Sequence, residues 1–582
     1  MRENQHKSCI VSLLFLLGYS SLQAGNAIIG AEIEGDTATI DIKAVSGHQT
    51  APRKISWGKL SGSFETNTIY YKDDKKIGAK APKDNYGSNN YLKLDYTNGR
   101  FSAGIQAEWY PQVLQGYENG LEGFGLAEKY ISWTGQDFSV TVGDFYEQFG
   151  SGLILRVWED RALGFNNSIG GVRATFNVGK YAAAKVLYGY PRDYMRREAF
   201  GSYTGTQVLG ADLSFSLSDV IGLAQHHISL EGSVVDRIEK RTDDFLFYTS
   251  EGFAAANGCQ LDKTAFMSYS GRLAYEWNSF SLRGEYVYKG KDVFQDLTTG
   301  KYELRSGNAI LAEANYSGNG LSVTGMFRRL DNMQNNIYHT IGTQLTANTL
   351  NYLPALCPQH TYMLAVLNPF TPYVNGEIGG QLDIFYRVKK GTWLGGSRGL
   401  KLHGNVSLFN SLGKANMRGE DLFLYRDITF DVEKNWNKKL KTILFASIQE
   451  FADDEGKGGS RLTTAQNVFV GDVTYKFTPK WSLRGEVQYL YSEETTKGGD
   501  WMAALLEVGY APQWSVFISD MYNHGNKEEK VHYYSAGVSY TYGSLRAALS
   551  YGRNRAGYVC SGGVCRYQPA YTGGNLALTY VF

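Results

Sequence analysis

Beyond Tyr19 the chain contains no apolar run approaching the ~18 residues that a membrane-crossing helix needs. Proline is scarce, eleven in 582 residues, so long stretches of backbone stay free to pair in ladders. Neither sign of charge dominates: 58 Lys and Arg stand against 57 Asp and Glu, for a net charge of +1. That balance gives no basic stripe for nucleic acid, and nucleic acid is not an expected partner. There are only five cysteines and no compact Cys/His set, which argues against a zinc site. No Gly-Lys-Ser/Thr follows a glycine-rich loop, so no phosphate-cradling loop is expected. His226-His227 form the one local pair of potential bases, with no nucleophile selected beside them. The expectation is a non-enzyme without cofactor or metal.

What is abundant is tyrosine (42), glycine (67) and tryptophan (10), arranged in short alternating segments. The last ten residues show the unit: Leu576, Leu578, Tyr580 and Phe582 share one face, and Asn575, Ala577 and Thr579 the other. Tyr91–Tyr96 turns at Asn98-Gly99, a strong hairpin signal, into Phe101, Ala103, Ile105, Ala107 and Trp109, with Ser102, Gly104, Gln106 and Glu108 between them. Similar hairpins turn at Gly135-Gln136, Val178-Gly179-Lys180, Asn278-Ser279, Gly318-Asn319-Gly320, Thr478-Pro479-Lys480, Ala511-Pro512-Gln513 and Tyr542-Gly543. Between them lie twelve longer connections, near 72–89, 111–126, 145–169, 191–207, 236–266, 289–307, 331–378, 410–422, 450–465, 492–500, 523–531 and 554–572.

A mean hydropathy of −0.32 with 43% hydrophobic residues suits a soluble protein or a wide barrel with a polar interior. The alternation of short and long connections favours the barrel over a pair of soluble sandwiches. The expected fold is all-β: a transmembrane antiparallel β-barrel of about 24 strands, with short periplasmic turns, long extracellular loops and both termini in the periplasm. At the amino terminus, Arg2 and Lys7 precede an apolar run from Cys9 to Tyr19, and Leu22-Gln23-Ala24 offers a cleavage site. Gly25 stands where a lipoprotein would carry cysteine. The expected organisation is a signal peptide over 1–24, a short periplasmic segment over 25–59 with a brief strand at Thr37–Ile42, and the barrel over 60–582.

By the parity of these strands, Glu108, Arg173, Lys185, Arg283, Glu285, Arg328, Arg484, Glu486 and Arg546 face the lumen. Arg283 with Glu285, and Arg484 with Glu486, are neighbours on one face and suggest a ladder of charge pairs. Such a wall can simply brace and hydrate a wide lumen, or pass polar solutes of either charge; a channel for one anion calls for a predominantly basic constriction. The densest local motif runs from Gly143 to Arg161. Three glycines in ten residues permit a sharp bend, and Phe145, Tyr146 and Phe149 can anchor it. Glu147, Arg156, Glu159, Asp160 and Arg161 can pair among themselves. The expectation is a constriction loop folded inward, against the plainer reading of an outward loop.

The connection 331–378 is too apolar for a free tether, with Tyr352, Leu353, Pro354, Tyr362, Leu364, Phe370 and Tyr373. It is expected over the mouth, in the lumen or against a partner. Of the cysteines outside the leader, Cys560 and Cys565 are spaced for a local disulfide, which would leave Cys259 and Cys357 to pair between two loops.

The terminal aromatic Phe582 resembles the ending of bacterial outer-membrane barrels, where it looks like the tag read by the assembly machinery. Val142-Gly143-Asp144-Phe145-Tyr146-Glu147-Gln148-Phe149-Gly150-Ser151-Gly152-Leu153 resembles the signature of an uncharacterised outer-membrane barrel family of the Bacteroidota, labelled only as a domain of unknown function. The resemblance implies outer-membrane location and carries no substrate or site residue. The expected function is a porin-like channel for a polar solute of unidentified kind; the alternative is a non-catalytic accessory subunit of an outer-membrane complex. Expected partners are outer-membrane lipids and, for the alternative, outer-membrane or surface lipoproteins.

Overall fold

Alternation of apolar and polar side chains, sustained from residue 59 to the end of the chain, builds one 24-stranded sheet of antiparallel neighbours. The sheet closes on itself. Its first strand, Lys59–Lys72, pairs with its last, Tyr571–Val581, from Ser63 opposite Val581 to Lys72 opposite Thr572. Phe582 seals the seam, exchanging backbone hydrogen bonds with Gly62 at 2.8 and 2.9 Å. Closure leaves the 24-stranded sheet without an edge strand. The structure, a computed structural model, describes residues 57–193, 200–241, 243–296, 299–337, 349–351, 353, 355–416, 418–452, 463–493, 498–561 and 564–582. The expected signal peptide, the segment to residue 56 with its brief strand, and Tyr352 and Pro354 lie outside these residues.

On one rim most connections are two to four residues, the exceptions being 217–225 and 389–399, while those on the other rim run from six residues at 296–301 upward. The Asn319-Gly320 turn places both residues in the left-handed region (φ 52° and 83°), which matches the twist of paired strands, and Gly99, Gly179, Asn278 and Gly543 supply single positive-φ residues in other tight turns. One expected loop is shorter than its polar sequence suggested. Strands Phe280–Gln295 and Tyr302–Gly318 pair as far as Gln295 opposite Tyr302, across one register shift between Lys289 and Asp292. The polar groups there have buried partners: Asp292 takes Arg237 (2.6 Å), and Lys289 donates to the carbonyl of Gln334 (2.6 Å).

The outer face is apolar. Leu92, Ile105, Val142, Leu213, Leu273, Ile310, Leu444, Val487, Ile518 and Leu549 all stand exposed on it. Rings gather towards both rims, with Trp133, Phe138, Phe176, Trp277, Trp481 and Trp514 near the short turns and Trp109, Phe124, Tyr269, Tyr288 and Tyr534 near the long connections. Several touch across strands: Phe138 and Phe176 at 4.9 Å, Trp514 and Tyr540 at 4.5 Å. No helix among the described residues is long and apolar enough to cross a membrane.

Candidate functional site

Two long connections fold into the barrel instead of standing above it. The first, 146–168, places Phe149, Leu153, Ile154 and Leu155 in a core with Leu187, Val208, Val235, Val287 and Leu330 of the inner wall. The second, 332–375, adds Met333, Ile337, Leu350 and Leu353 to that core. It then runs to another part of the wall, where Tyr362, Leu364, Ala365 and Leu367 pack on Phe445, Val468, Val470, Leu490 and Trp501. Between these contacts Phe370 stacks on Phe409 (4.8 Å) and Tyr425 (4.7 Å). The interior is therefore packed in the half nearest the long connections.

The bend that admits the first loop depends on glycine. Gly150 has φ +54°, and a Cβ there would lie 2.6 Å from an Arg272 nitrogen and 2.7 Å from Glu285. On the facing wall, a Cβ on Gly210 would lie 2.8 Å from the Phe149 ring.

Polar contacts tie both loops to the wall and to each other. Glu285 accepts from the backbone N–H of Ser151 (3.1 Å) and from the Ser270 hydroxyl (2.6 Å). Asn351 donates to the carbonyls of Leu153 (3.1 Å) and Met333 (2.5 Å), and Arg156 N–H to the carbonyl of Leu350 (2.7 Å). On the far side Leu364 N–H donates to Gln488 (2.9 Å), and Gln449 donates to the carbonyl of Ala365 (3.1 Å). These bonds satisfy backbone groups that the lumen would otherwise strand away from water.

The residues singled out from the sequence fall into three groups. Glu108 is buried and paired with Arg192 (3.2 Å), and Arg328 is buried against Glu377 (2.6 Å). Arg173 and Lys185 converge on Glu147 at 3.4 and 2.9 Å, joining wall to loop. Arg484 bridges Asp472 (2.9 Å) and Glu486 (2.6 Å), whereas Arg283 and Glu285 do not pair: Arg283 turns to Glu276 (3.3 Å) and Glu285 to the loop. The expected ladder is thus interrupted at Glu285, where the loop competes for a wall charge. Arg546 is exposed on the inner face near the short-turn rim, opposite Thr541 and Thr579.

Within the loop, Phe145 and Phe149 are buried in the shared core, and Tyr146 accepts from Asn166 (3.0 Å). Burial first, then the nearby Glu159, raises the Tyr146 hydroxyl well above its ordinary value. Of the five loop charges expected to pair together, Arg161 and Glu159 do so (3.4 Å). Arg161 also holds Glu65 of the first strand (2.8 Å). Burial works against the Arg161 charge, but Glu159 and Glu65 outweigh it and hold the guanidinium above its usual value. Glu147 reaches the wall, Asp160 accepts from Leu163 N–H (3.1 Å), and Arg156 lies over Trp158 (4.9 Å). Glu147 and Arg161 thus take charges of the wall, whereas Asp160 and Arg156 rest on groups of the loop itself.

Cys560 and Cys565 form a disulfide that braces the hairpin Gly557–Ser561 and Val564–Gln568. The expected bond between Cys259 and Cys357 is not made, and both remain thiols. They pack in different clusters: Cys259 beside Phe245, Tyr248 and Phe253, Cys357 beside Phe370, Phe409 and Tyr425.

The apolar inner seam escaped the sequence reading. Its signal was a local failure of alternation, as at Val208-Leu209, Val234-Val235 and Tyr286-Val287-Tyr288, where both faces of the strand are apolar. Arg192, Arg237 and Asn351 were missed as well; each has a partner far away in the chain, Glu108, Asp292 and Leu153 respectively, though Arg237 also pairs with Glu239 (3.2 Å) two residues on. Among the described residues no group of three or more His, Cys, Asp or Glu could hold a metal ion.

Residues 17–582 match the family of unknown function DUF6029, and the chain belongs to that family. No curated protein matches it in sequence. Among solved structures, the translocation pore of the P pilus usher PapC is similar at 9% identity and a TM-score of 0.41, over 90% of this chain and 99% of the pore. The siderophore receptor PirA from Pseudomonas aeruginosa is similar at 10% identity and 0.38, over 91% and 81% of the two chains. The outer membrane transporter YddB from Escherichia coli is similar at 9% identity and 0.39, over 90% and 81%. No residue role is carried from them to this chain.

Proposed function

We propose that this DUF6029 protein is an outer-membrane barrel that passes a polar solute when two inward-folded loops yield. One observation carries the reading: a closed barrel with an apolar outer face and ring-rich rims encloses a charged wall, and what obstructs the lumen is held there by noncovalent contacts. An apolar outside with a polar inside is what a lipid-embedded barrel requires. Mixed charge on the wall favours a hydrated path without strong preference for either sign. In this reading the short turns and both termini face the periplasm and the long connections face outward.

Planar-bilayer conductance tests the path. Purified wild-type protein is expected to show little or intermittent current. A variant lacking 146–167 and 349–367 is expected to give a large, steady conductance. A folded double-deletion barrel that stays silent would overturn the pore. Orientation is tested by single cysteines at Asn98 and Lys83, both exposed and on opposite rims. Only the second should be labelled on whole cells.

The accessory-subunit reading draws on a different feature. The disulfide-braced hairpin exposes Tyr558, Val559 and Tyr567 on the long-connection side. Crosslinking in whole cells, followed by gentle-detergent isolation, separates the readings. A partner-free monomer removes the accessory role.

A further inference from the structure

The chain is nearly neutral, yet its short-turn rim is not evenly charged. Turn 389–399 carries Lys389, Lys390 and Arg398, turn 436–439 carries Lys438 and Lys439, and turn 477–480 carries Lys480. None of the three contains Asp or Glu, and every other short turn has at most one cation. Consecutive strand pairing sets these turns side by side.

The first of them is also built. Lys434 Nζ donates to the carbonyls of Leu394 and Gly395, both at 2.8 Å. The Thr392 hydroxyl donates to the carbonyl of Lys389 (2.8 Å) and accepts from Gly395 N–H (3.0 Å), and Gly391 N–H meets the carbonyl of Gly396 (2.7 Å). This clasp presents Trp393 with 93% of its surface exposed, beside exposed Leu394. Next to them an open basin of about 500 Å³ is lined by Lys390, Ser397, Arg398 and Asn435. Its side chains supply two cations, a hydroxyl and an amide, a set that can donate to phosphate oxygens. The neighbouring carboxylate, Glu433, is occupied by Lys401 (2.7 Å).

We propose that this basin binds the phosphate of an anionic phospholipid headgroup, with Trp393 and Leu394 inserted into the bilayer interface beside it. The proposal rests on the membrane-barrel reading above. Clustered Lys and Arg at a membrane surface attract anionic lipid, and tryptophan partitions to the interface. A free phosphate would use the basin but leave no purpose for the projecting apolar pair. The outward rings Tyr475 and Trp481 on adjoining strands place this sector of the rim at interface level.

Full-length protein in mild detergent is titrated with acyl-brominated phosphatidylglycerol, with acyl-brominated phosphatidylcholine, and with inorganic phosphate. The fluorescence of wild type minus W393F isolates Trp393. Phosphatidylglycerol should quench that component at a concentration at least about fivefold below phosphatidylcholine. K390Q/R398Q should raise the phosphatidylglycerol midpoint by about fivefold or more and leave the phosphatidylcholine midpoint in place. Heat-dependent gel mobility checks that the barrel is folded, and R398Q alone serves if the double variant is not. Equal midpoints for the two lipids overturn the proposal, as does a midpoint indifferent to the charge removal. Saturable phosphate binding without lipid preference assigns the basin to a free anion and overturns it too. Failure to float with liposomes of either lipid would refute the membrane reading and this site together, whereas equal midpoints refute the site alone.

Discussion

Arg328→Met tests what keeps the longest connection inside the barrel. Arg328 and Glu377 lie on adjoining strands with side chains 1% and 0% exposed. Arg328 Nε and Nη2 both donate to Glu377 Oε1, at 2.9 and 2.6 Å. Glu377 Oε2 accepts from the backbone N–H of Tyr373 (2.5 Å), so the carboxylate pins the end of the 332–375 connection. Methionine can occupy most of the space that the arginine stem fills beneath Phe409, but it donates nothing. A buried carboxylate stripped of its cation costs about 3–5 kcal/mol. The chain can escape much of that cost by releasing Glu377 and the adjoining segment to water, so the penalty falls on the closed loop. At about 1.4 kcal/mol per decade, the open population rises by roughly two to three and a half powers of ten. Hydrogen–deuterium exchange over residues 355–375 should accelerate accordingly, while strand Tyr571–Val581 stays protected. The double variant R328M/E377Q removes both charges, and glutamine can still accept from Tyr373. Its exchange should return to within about tenfold of wild type. Unchanged exchange in R328M, or a double variant no better than the single, would refute this account of the loop's anchorage.

Gly210→Val alters only the wall, yet its Cβ would meet the Phe149 ring at 2.8 Å and Leu187 at 3.1 Å. Overpacking of about 1–3 kcal/mol should dislodge the first loop, read as more frequent openings in planar bilayers; wild-type gating would contradict it. The Cys357 thiol keeps a partly accessible surface, but burial, with a smaller push from Asp427, raises it to about 12. At pH 8 alkylation should run about 10³-fold slower than at an ordinary exposed thiol, and gain tenfold per pH unit up to that value. Mass spectrometry of iodoacetamide-treated protein checks this, and rapid labelling at pH 8 without loop opening would count against it. R328M should speed the reaction.

How much could be read in advance depended on the range of the interaction. Tight hairpins such as Asn98-Gly99 and Asn319-Gly320 are encoded within a few residues, and so is the Cys560–Cys565 bond across its own hairpin. The partner of a charge is not. Arg283 and Glu285 sit two residues apart and were expected to pair, but Glu276 and the Ser151 backbone reach them first. Cys259 and Cys357 share chemistry but lie in separate apolar clusters. The stretch 289–307 looked like a loop because it is polar, and polarity marks exposure only when no buried partner is waiting.

By itself the sequence determined a 24-strand antiparallel barrel and the places of its tightest hairpin turns. Both follow from a period of two and from turn chemistry, which act over neighbouring residues. Only the tertiary structure decided that the connections 146–168 and 332–375 turn inward. That choice rests on an apolar seam assembled from one residue on each of several strands, such as Leu187, Val208, Val235, Val287 and Leu330. No single strand shows more than a slight lapse in its pattern, so the seam exists as a surface only after the sheet has closed and brought those residues side by side.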